Sequence, residues 1–374
     1  MKLDLLKIRR ELHSLAELSG KEQFTSRYIF NLMLKFKPDM VLTNLAGFGL
    51  VFGFKGNESG KIIGFRSDLD ALPISEENEF FYKSKNPNVS HKCGHDGHST
   101  ILIGLAEKLS KRNFPGYVYF IFQPSEENGE GAGKILSDNK FKEIKFDYIF
   151  SIHNIPGFDE SLVLLKDGVF SGASIGLKIK LMGVQSHASE PMKGISPSAG
   201  VAELIWFIEK ELIQDSATKN SFANVVFVNL GVKGFGILPG YAEIWVTVRA
   251  VRTKERDDLV KNIECKVNEL AEKYKFQFKI DNSDNFSSTI NDSDAVAIVR
   301  KSAEELNLNF QDLNEPFLWS EDFGRFTERF KGALIGLGSG KNCFPLHNPK
   351  YDYPDEITKT GINLFKKIIF LANS

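Results

Sequence analysis

Cysteine is scarce in this sequence, and it has neither long apolar runs nor an excess of charge of one sign. The 374 residues include three cysteines, an odd number that argues against a framework of disulfide bonds. Nowhere do about 18 apolar residues follow one another, which argues against a membrane span. The 47 lysines and arginines nearly balance the 48 aspartates and glutamates, so no net field attracts nucleic acid or an anionic membrane. We therefore expect neither as a partner.

The amino-terminal segment also lacks the signature of an exported protein. Its first ten residues are charged and amphipathic, with no apolar stretch followed by small residues. We therefore expect a protein of the reducing cytoplasm. Hydrophobic residues make up 42% and charged residues 25% of the chain, which is the balance of a folded globular protein. The length predicts two domains, each large enough to bury a core.

Several common catalytic motifs are absent as well. There is no Gly-x-Ser-x-Gly elbow, no Gly-x-x-x-x-Gly-Lys-Ser/Thr phosphate loop and no His-Glu-x-x-His helix. The glycines of residues 332–340 follow a predicted strand without opening a clear helix, so a dinucleotide site is only weakly indicated. No competing catalytic class is therefore favoured.

The predicted elements alternate between helix and strand along the first part of the chain. Helical periodicity covers residues 4–18, 21–36 and 98–112, and β-rich runs cover residues 50–54, 61–65, 117–122 and 148–152. This alternation predicts an α/β fold with a mixed, mostly parallel sheet and helices on both faces. Helices near residues 293–307 and 321–329 and an apolar strand at 333–337 return to the same style.

The middle of the chain follows a different order. Strands at residues 173–182, 223–232, 241–251 and 276–280 and helices at 198–213 and 254–274 give the order βαββαβ. This is the ferredoxin-like split unit. We therefore assign residues 1–172 and 285–374 to a larger catalytic domain, and residues 173–284 to a domain inserted into it.

Side chains able to bind metal follow the predicted strands of the larger domain. They are Asp68 and Asp70 after residues 61–65, Glu126 and Glu127 after 117–122, His153 after 148–152, and His347 in the loop after 333–337. In open α/β sheets, ligands bind at the carboxyl edge of the strands. We therefore expect these separate segments to meet in one crevice.

The sharpest local signal is Cys93-Gly94-His95-Asp96-Gly97-His98. In an extended stretch, residues two apart share a face, so the Cys93 sulfur and a His95 ring nitrogen can reach one metal ion. The alternative is a buried thiol beside helix-capping histidines, which is the commoner role of a lone cysteine or histidine. The concentration of ligand types in one short stretch favours the metal site.

The adjacent acids Glu126 and Glu127 follow an apolar strand and Pro124. Paired acids are usually a solvated face. Here they can divide two tasks, because neighbours on an extended loop point in opposite directions and only one easily faces a given metal. For His153 a core histidine, and for His347 a turn, is the alternative. Asp68 and Asp70 can ligate or can orient a ligating histidine, and the sequence does not choose.

On these residues the chain resembles the amidohydrolase branch of the aminoacylase and carboxypeptidase family of metallopeptidases. That group contains hippurate hydrolases, N-acyl-amino-acid amidohydrolases and auxin-conjugate hydrolases. The resemblance covers nearly the whole chain, through residues 9–13, 66–74, 93–98, 122–127, 186–188, 320–323 and 345–349. It implies hydrolysis of the amide bond of N-acyl amino acids, releasing a carboxylic acid and a free amino acid.

The resemblance also implies a set of site residues. Two divalent ions, zinc, manganese, cobalt or nickel, would be held with Glu126 as the general base, and the ligands would be Cys93, His95, Glu127, His153 and His347. The inserted domain would be a lid that mediates formation of a homodimer. On that lid, His187 would strengthen stabilisation of the oxyanion, and Arg249 is a candidate clamp for the substrate carboxylate, with a solvated strand-end arginine as the alternative.

Two other functions remain open at this point. One is a carboxypeptidase or dipeptidase on the same scaffold, which the cysteine-containing motif disfavours. The other is a non-catalytic metal-binding relative, which the presence of Glu126 and of every expected ligand disfavours. The lid turn reads Gly236-Ile237-Leu238-Pro239, where the family often has Asn-Val-Ile-Pro, and this departure bears on the substrate more than on the reaction.

Overall fold

The computed structural model describes residues 3–212 and 220–374, which divide into two compact units. The larger unit comprises Met1–Phe170, Thr289–Pro316 and Asp322–Ser374, and the second comprises Ser171–Ser288 and Phe317–Glu321. The sequence-based division left residues 317–321 in the larger domain. The final residue of the helix predicted at 198–213 lies outside the described residues. None of the helices in the described part of the chain has the length and hydrophobicity that a membrane span requires.

The elements are numbered in chain order. The strands are β1 (Met40–Leu45), β2 (Gly49–Lys55), β3 (Glu58–Asp68), β4 (Pro115–Gln123), β5 (Tyr148–Ile155), β6 (Val163–Leu165), β7 (Gly168–Ser171), β8 (Ala173–Met182), β9 (Ser186–His187), β10 (Phe222–Leu230), β11 (Ile237–Leu238), β12 (Tyr241–Ala250), β13 (Gln277–Phe286), β14 (Thr289–Asn291), β15 (Phe310–Asp312) and β16 (Gly332–Gly338). The helices are α1 (Leu5–Leu15), α2 (Gln23–Met33), α3 (His95–Leu109), α4 (Gly131–Ser137), α5 (Ser198–Trp206), α6 (Thr253–Tyr274), α7 (Ser293–Glu305), α8 (Gly324–Thr327) and α9 (Ile357–Leu371).

A mixed sheet forms the centre of the larger unit. In the described part of the chain it has eight strands, in the order β1-β2-β4-β3-β5-β16-β6-β15. The neighbours β4, β3, β5 and β16 run parallel to one another, whereas β1, β2 and β6 pair antiparallel with their neighbours β2, β4 and β16. The predicted α/β fold class is confirmed. Because the parallel strands end at one edge of the sheet, that edge collects the residues that follow them.

The helices of the larger unit form where apolar residues recur at helical spacing. α1 begins after Asp4, whose carboxylate accepts the amide of Lys7 at 3.1 Å. α3 is buried along nearly its whole length and packs against α1 and α9. The sequence analysis did not predict α9, although its residues Ile357, Ile362 and Phe365 are buried on one face. The predicted helix at 321–329 is shorter in the structure, where α8 covers only Gly324–Thr327.

The second unit has a core of its own. In chain order its main elements are β8, α5, β10, β12, α6 and β13, the βαββαβ order that the sequence predicts. The four strands form an antiparallel sheet in the order β10-β12-β8-β13. Ile179, Val246 and Ile263 lie in the apolar core beneath this sheet. A separate ladder joins β9 to β11, and the segment after α5 continues as a π-helical turn at Phe207–Glu211.

Candidate metal centre

The hexapeptide at residues 93–98 turns instead of running extended. Gly94 has a left-handed backbone, with φ +92°, and precedes His95, the first residue of α3. The expectation that an extended stretch places Cys93 and His95 on one face is therefore wrong. The turn still brings the Cys93 sulfur within 4.8 Å of a His95 ring nitrogen. Only glycine fits at position 94, since a Cβ there would lie 2.9 Å from Cγ of Asn154.

Backbone carbonyls orient the rings of His95 and His153 in the same way. Nδ1 of His95 donates to the carbonyl of Asp70 at 2.8 Å, and Nδ1 of His153 donates to that of Asn154 at 2.9 Å. A carbonyl only accepts, so Nδ1 carries a proton in both rings, and Nε2 is the nitrogen that faces the other candidate ligands. Nε2 of His153 lies 3.5 Å from the sulfur of Cys93. His153 lies within strand β5 and not in the loop that follows it.

Glu126 and Glu127 lie in a tight turn after β4. The amide of Gly129 donates to the carbonyl of Glu126 at 2.8 Å, and Ser125 has φ +57°. The prediction that an extended loop points the two carboxylates in opposite directions is therefore wrong. Both approach the same ring, since Glu126 Oε2 lies 3.9 Å and Glu127 Oε1 3.7 Å from Nε2 of His95. Their distances to His95 therefore do not separate a ligand from a base, and that distinction depends on their other neighbours.

His347 approaches this cluster from the loop that follows β16. Its backbone has φ +66°, and its amide donates to the carbonyl of Lys92 at 2.8 Å. Nε2 of His347 lies 4.0 Å from Oε2 of Glu127, and the side chain is 54% exposed. Burial, followed by the nearby His95, lowers the pKa of His347. The ring is therefore held in the neutral form that binds metal.

The described side chains form five triads of candidate ligands, and two of these share the sulfur of Cys93. One consists of Cys93, His95 and His153, and within it the candidate atoms lie within 4.8 Å of one another. The other consists of Cys93, Glu127 and His347, under the same limit. Together the triads contain all five residues that the family resemblance implies as ligands. Two triads that share one sulfur match the donor arrangement of two neighbouring ions.

Two observations indicate that these donors fit a cation. Nε2 of His95 is buried and has no hydrogen-bond partner among the described residues, although carboxylate oxygens lie around it. Burial also raises the pKa of the Cys93 thiol, whereas coordination requires the thiolate. A divalent cation would give the nitrogen a partner and would compensate the charge of the buried sulfur.

Asp68 supports the histidines from β3. Its Oδ1 accepts a hydrogen bond from Nδ1 of His98 at 2.7 Å, and its Oδ2 accepts one from Arg66 at 2.9 Å. Burial alone would raise the pKa of Asp68, but His95 and His98 hold it well below its usual range. Asp68 Oδ2 lies 3.7 Å from Nε2 of His95. The contacts of this carboxylate favour an orienting role, in which Asp68 fixes the rings instead of ligating.

Asp70 connects His95 to Glu127 through hydrogen bonds. Its carbonyl accepts Nδ1 of His95, while its Oδ2 accepts the hydroxyl of Ser19 at 2.6 Å and the amide of Glu127 at 3.0 Å. The backbone of Glu127 is thereby held beside the histidine ring. Partners of this kind fix the tautomer and direction of a metal-binding imidazole.

The sequence analysis missed the role of Asp322, the residue that joins the ends of β3 and β4. Its Oδ1 accepts hydrogen bonds from Arg66 at 2.7 Å and from Gln123 at 2.8 Å. Its amide lies 3.4 Å from Oε1 of Glu126. One signal was available in the sequence. Arg66 is a charged residue at the buried end of an apolar strand, and such a residue needs a buried acid as its partner.

The two predicted substrate-binding residues lie in the second unit. His187 is exposed on β9, where its backbone pairs with Ile237, and its Nδ1 lies 2.6 Å from the hydroxyl of Ser189. Arg249 is half-buried on β12 and donates to the carbonyl of Leu318 at 3.2 Å. Burial lowers the pKa of Arg249, because it disfavours the charged form of the guanidinium.

Residues 64–370 match the sequence profile of Peptidase family M20/M25/M40. The chain belongs to this family. A hippurate hydrolase from Campylobacter jejuni is 32% identical to this M20 protein over 365 residues, which is 97% of this chain and 94% of the relative. An uncharacterised hydrolase from Staphylococcus aureus is 30% identical over 384 residues, covering 97% of this chain and 96% of the relative.

Solved structures agree with the fold of the M20 protein. A dinuclear metal-binding peptidase of the same family from Bacillus subtilis superposes with a TM-score of 0.81 at 25% identity, covering 98% of this chain and 96% of the other. An aminohydrolase from methicillin-resistant Staphylococcus aureus gives 0.88 at 24% identity, covering 99% and 96%. Family membership, the hippurate hydrolase, the dinuclear metal-binding peptidase and the candidate ligand clusters make the M20 protein a metal-dependent amidohydrolase that uses divalent ions.

Proposed function

We propose that this M20 protein hydrolyses the amide bond of N-acyl amino acids, with N-acetyl or aromatic acyl groups. The observation that carries the proposal is the buried Nε2 of His95, which has no hydrogen-bond partner in the described part of the chain and faces both Glu126 and Glu127. A relative at 32% identity is named hippurate hydrolase, and hippurate is an N-benzoyl amino acid. Amide hydrolysis at such a centre needs a water, a base and a cation for the developing negative charge.

We assign the ligand role to Glu127 and the base role to Glu126. Glu127 lies near the nitrogens of two different rings, those of His95 and His347, and belongs to a triad with Cys93. Glu126 Oε2 lies 3.9 Å from Nε2 of His95, its Oε1 lies 3.4 Å from the amide of Asp322, and its side chain is nearly buried. A carboxylate between two ligand rings is placed to bind cations. The carboxylate beside it is then available to handle protons.

Each residue then has a defined part in the reaction. The five proposed ligands would hold divalent ions, which when bound would polarise the amide carbonyl as Lewis acids and acidify water. Glu126 takes a proton from the attacking water as its oxygen bonds to the carbonyl carbon. Glu126 then gives that proton to the amide nitrogen as the C–N bond breaks. The products are a carboxylic acid and a free amino acid.

The second unit supplies the proposed contacts to substrate. We assign to Arg249 the binding of the amino acid's carboxylate, since its guanidinium has donors beyond the one given to Leu318. We assign to His187 a donor role toward the carbonyl oxygen as negative charge develops there. The exposed ring of His187 fits a residue that acts on a bound molecule.

The donor set restricts the choice of metal. Mixed sulfur, nitrogen and oxygen donors suit zinc, manganese, cobalt or nickel, and affinity order alone does not select among them. A reducing environment protects a thiolate ligand from oxidation, and the three cysteines are all free. We therefore propose that the M20 protein works in the cytoplasm with two ions of this group.

The test is a hydrolysis panel run on matched variants. Purified protein is loaded with each metal in turn and offered N-acetyl amino acids, N-benzoyl amino acids and dipeptides. Glu126→Gln keeps shape but loses the proton acceptor, so turnover should fall by roughly 100-fold or more while metal content stays near two equivalents. Glu127→Gln should lose metal first, and excess metal should partly restore its activity.

Three outcomes contradict parts of the proposal. Full activity in rigorously metal-free protein would remove the metal centre from the mechanism. Metal loss in Glu126→Gln with retention in Glu127→Gln would reverse the two assignments. Turnover of dipeptides alone would favour the peptidase function, the activity for which the Bacillus subtilis relative is named.

We further propose a homodimer formed through the second unit. β10 is an edge strand of its sheet, and Val226, Phe227, Val228 and Leu230 on it are exposed. An open apolar edge of this kind is usually covered by a partner. Light scattering should give twice the chain mass for the wild type, and Phe227→Lys should shift it toward the monomer. A wild type that is monomeric at working concentration would contradict this proposal.

A further inference from the structure

A buried cluster of charged side chains lies beside the segments that carry the proposed ligands, and the proposed chemistry does not use it. We call it the buried ion cluster. Its buried members are Arg9, His13, Glu76, Lys92 and Asp96, and the partly exposed Asp352 and Asp355 pair with Arg9 at its edge. Burying charge is costly unless each group is paired and hydrogen-bonded. We therefore expect a cluster of this size to fix the position of a neighbouring segment of the chain.

Lys92 is the member that connects two ligand-bearing segments. It directly precedes Cys93, and its side chain is completely buried. Its ammonium donates to Oε1 of Glu76 at 2.6 Å and to the carbonyl of Tyr351 at 2.8 Å. Its own carbonyl accepts the amide of His347 at 2.8 Å. Lys92 is thus bonded to the 347–351 loop through both its backbone and its side chain.

The rest of the cluster fixes the acid that Lys92 uses. Glu76 Oε1 also lies 2.9 Å from Nε2 of His13, whose Nδ1 lies 2.8 Å from Asp96. The other oxygen of Glu76 accepts the amide of Ser84 at 2.9 Å. Glu76 is therefore held from three directions, and the ammonium between Glu76 and Tyr351 has a defined position.

The 347–351 loop is under strain near the proposed ligand, and its attachments there differ in strength. His347 is more than half exposed and has a left-handed backbone, which is unfavourable in a residue other than glycine. The side-chain amide of Asn78 reaches the carbonyl of Tyr351 at 3.4 Å, a weaker contact than that of the ammonium. Of these two donors to the Tyr351 carbonyl, Lys92 thus provides the stronger attachment.

We propose that Lys92 is a positioning residue that fastens the 347–351 loop to the Cys93 segment and so sets the spacing of Cys93, Glu127 and His347. The inference rests on the proposed metal centre, in which those three residues form one triad. The other triad, with His95 and His153, does not include the loop. Loss of the ammonium should therefore weaken one of two metal-binding steps and leave the other unchanged.

The experiment is a metal titration of the apoprotein, which needs no substrate. Metal-free wild type, Lys92→Met and His347→Ala are titrated with zinc by calorimetry. Two steps are expected for the wild type. In Lys92→Met the step that His347→Ala removes should weaken by roughly 10- to 100-fold, the usual cost of losing a residue that supports a ligand. The other step should keep its affinity.

The matched control is Lys166→Met. Lys166 also uses its ammonium on backbone carbonyls, those of Leu313 and Asn314 at 3.1 and 2.9 Å, and neither of these residues belongs to a ligand-bearing segment. Lys166→Met should bind zinc in two steps with the same affinities as the wild type. Lys92→Met with two unchanged steps, or with both steps weakened alike, would overturn the inference. A wild type that binds no metal would instead contradict the proposed function.

A second variant covers the case in which Lys92→Met does not fold, as judged by circular dichroism. Asn78→Ala removes the weaker donor to Tyr351 from a half-buried position. It should weaken the same step by roughly 2-fold, the low end of what one hydrogen bond contributes, because the contact is long. An effect on the other step, or on neither, would equally overturn the proposed role of the loop attachments.

Discussion

Gly94→Ala should destabilise the metal centre even before metal is added. Gly94 has φ +92° and precedes the first helical residue of α3. A Cβ there would lie 2.9 Å from both Cγ and Nδ2 of Asn154. Asn154 cannot simply swing away, because its side chain contacts His98 and donates to the hydroxyl of Tyr351 at 2.6 Å. The substitution therefore combines backbone strain with a collision.

The two costs can be estimated separately. A left-handed conformation costs a residue with a Cβ about 1–2 kcal/mol, and overpacking a well-packed interior costs about 1–3 kcal/mol. Their sum is at least about 2 kcal/mol, which corresponds to roughly a 30-fold change in a local opening equilibrium. Since Asn154 contacts His98 and Tyr351, the loss should spread into β5 and the start of α3.

Hydrogen exchange read by mass spectrometry suits this test, because it resolves the opening of individual segments. Amides of α3 in metal-free Gly94→Ala should exchange about 30-fold faster or more than in the wild type. Gly133→Ala is the control, since Gly133 lies in α4 and a Cβ there would meet no atom within 4 Å. If the amides of α3 exchange at the same rate in both variants, the packing argument for Gly94 is refuted.

Two further predictions concern pH. Burial, followed by the charge of Asp70, raises the pKa of Glu22 from 4.5 to about 7, so the folded state holds this proton more tightly than the unfolded state, and stability should fall as pH rises through that range. Glu22→Gln should therefore unfold at higher urea concentration than the wild type at about pH 8; equal midpoints there would refute the reasoning. Burial opposes ionisation of His13, but hydrogen bonds to Asp96 and Glu76 raise its pKa from 6.5 to about 9, and Asp352 also faces it at 3.9 Å. Its stabilising contribution is complete below pH 6.5 and is lost as pH rises through 9. Urea unfolding of metal-free His13→Gln should thus show a flatter decline than the wild type between about pH 7 and pH 10, and an unchanged decline would contradict a charged His13.

Strand periodicity was the most informative part of the sequence. Continuous apolar runs such as Phe52 to Phe54 and Phe120 to Phe122 predicted the strands of the larger sheet, because strands buried on both faces carry such runs. The same patterns did not reveal α9. They also did not reveal the short strands β6 and β15, which have three residues each and are recognised only by their pairing in the sheet. Strand order also depends on pairing, and a local pattern does not contain it.

Local geometry at the site was the least predictable part. The position of Glu126 and Glu127 behind a strand was readable, but their direction depends on a turn with Ser125 at positive φ. Likewise, the start of α3 at His95 depends on the left-handed Gly94. The buried ion cluster was not readable, because His13, Glu76 and Lys92 lie far apart in the sequence and only the fold brings them together.

The place of β16 in the sheet has a consequence for biosynthesis. β16 pairs with β5 on one side and β6 on the other, yet the entire second unit is translated between β6 and β16. While Gly332–Gly338 is still inside the ribosome, one edge of β5 is unpaired. Unpaired strand edges are prone to aggregation and are bound by chaperones. The second unit can complete its own sheet during that interval. His347 is translated later still, so the set of proposed ligands is complete only after the last strand of the sheet has been made.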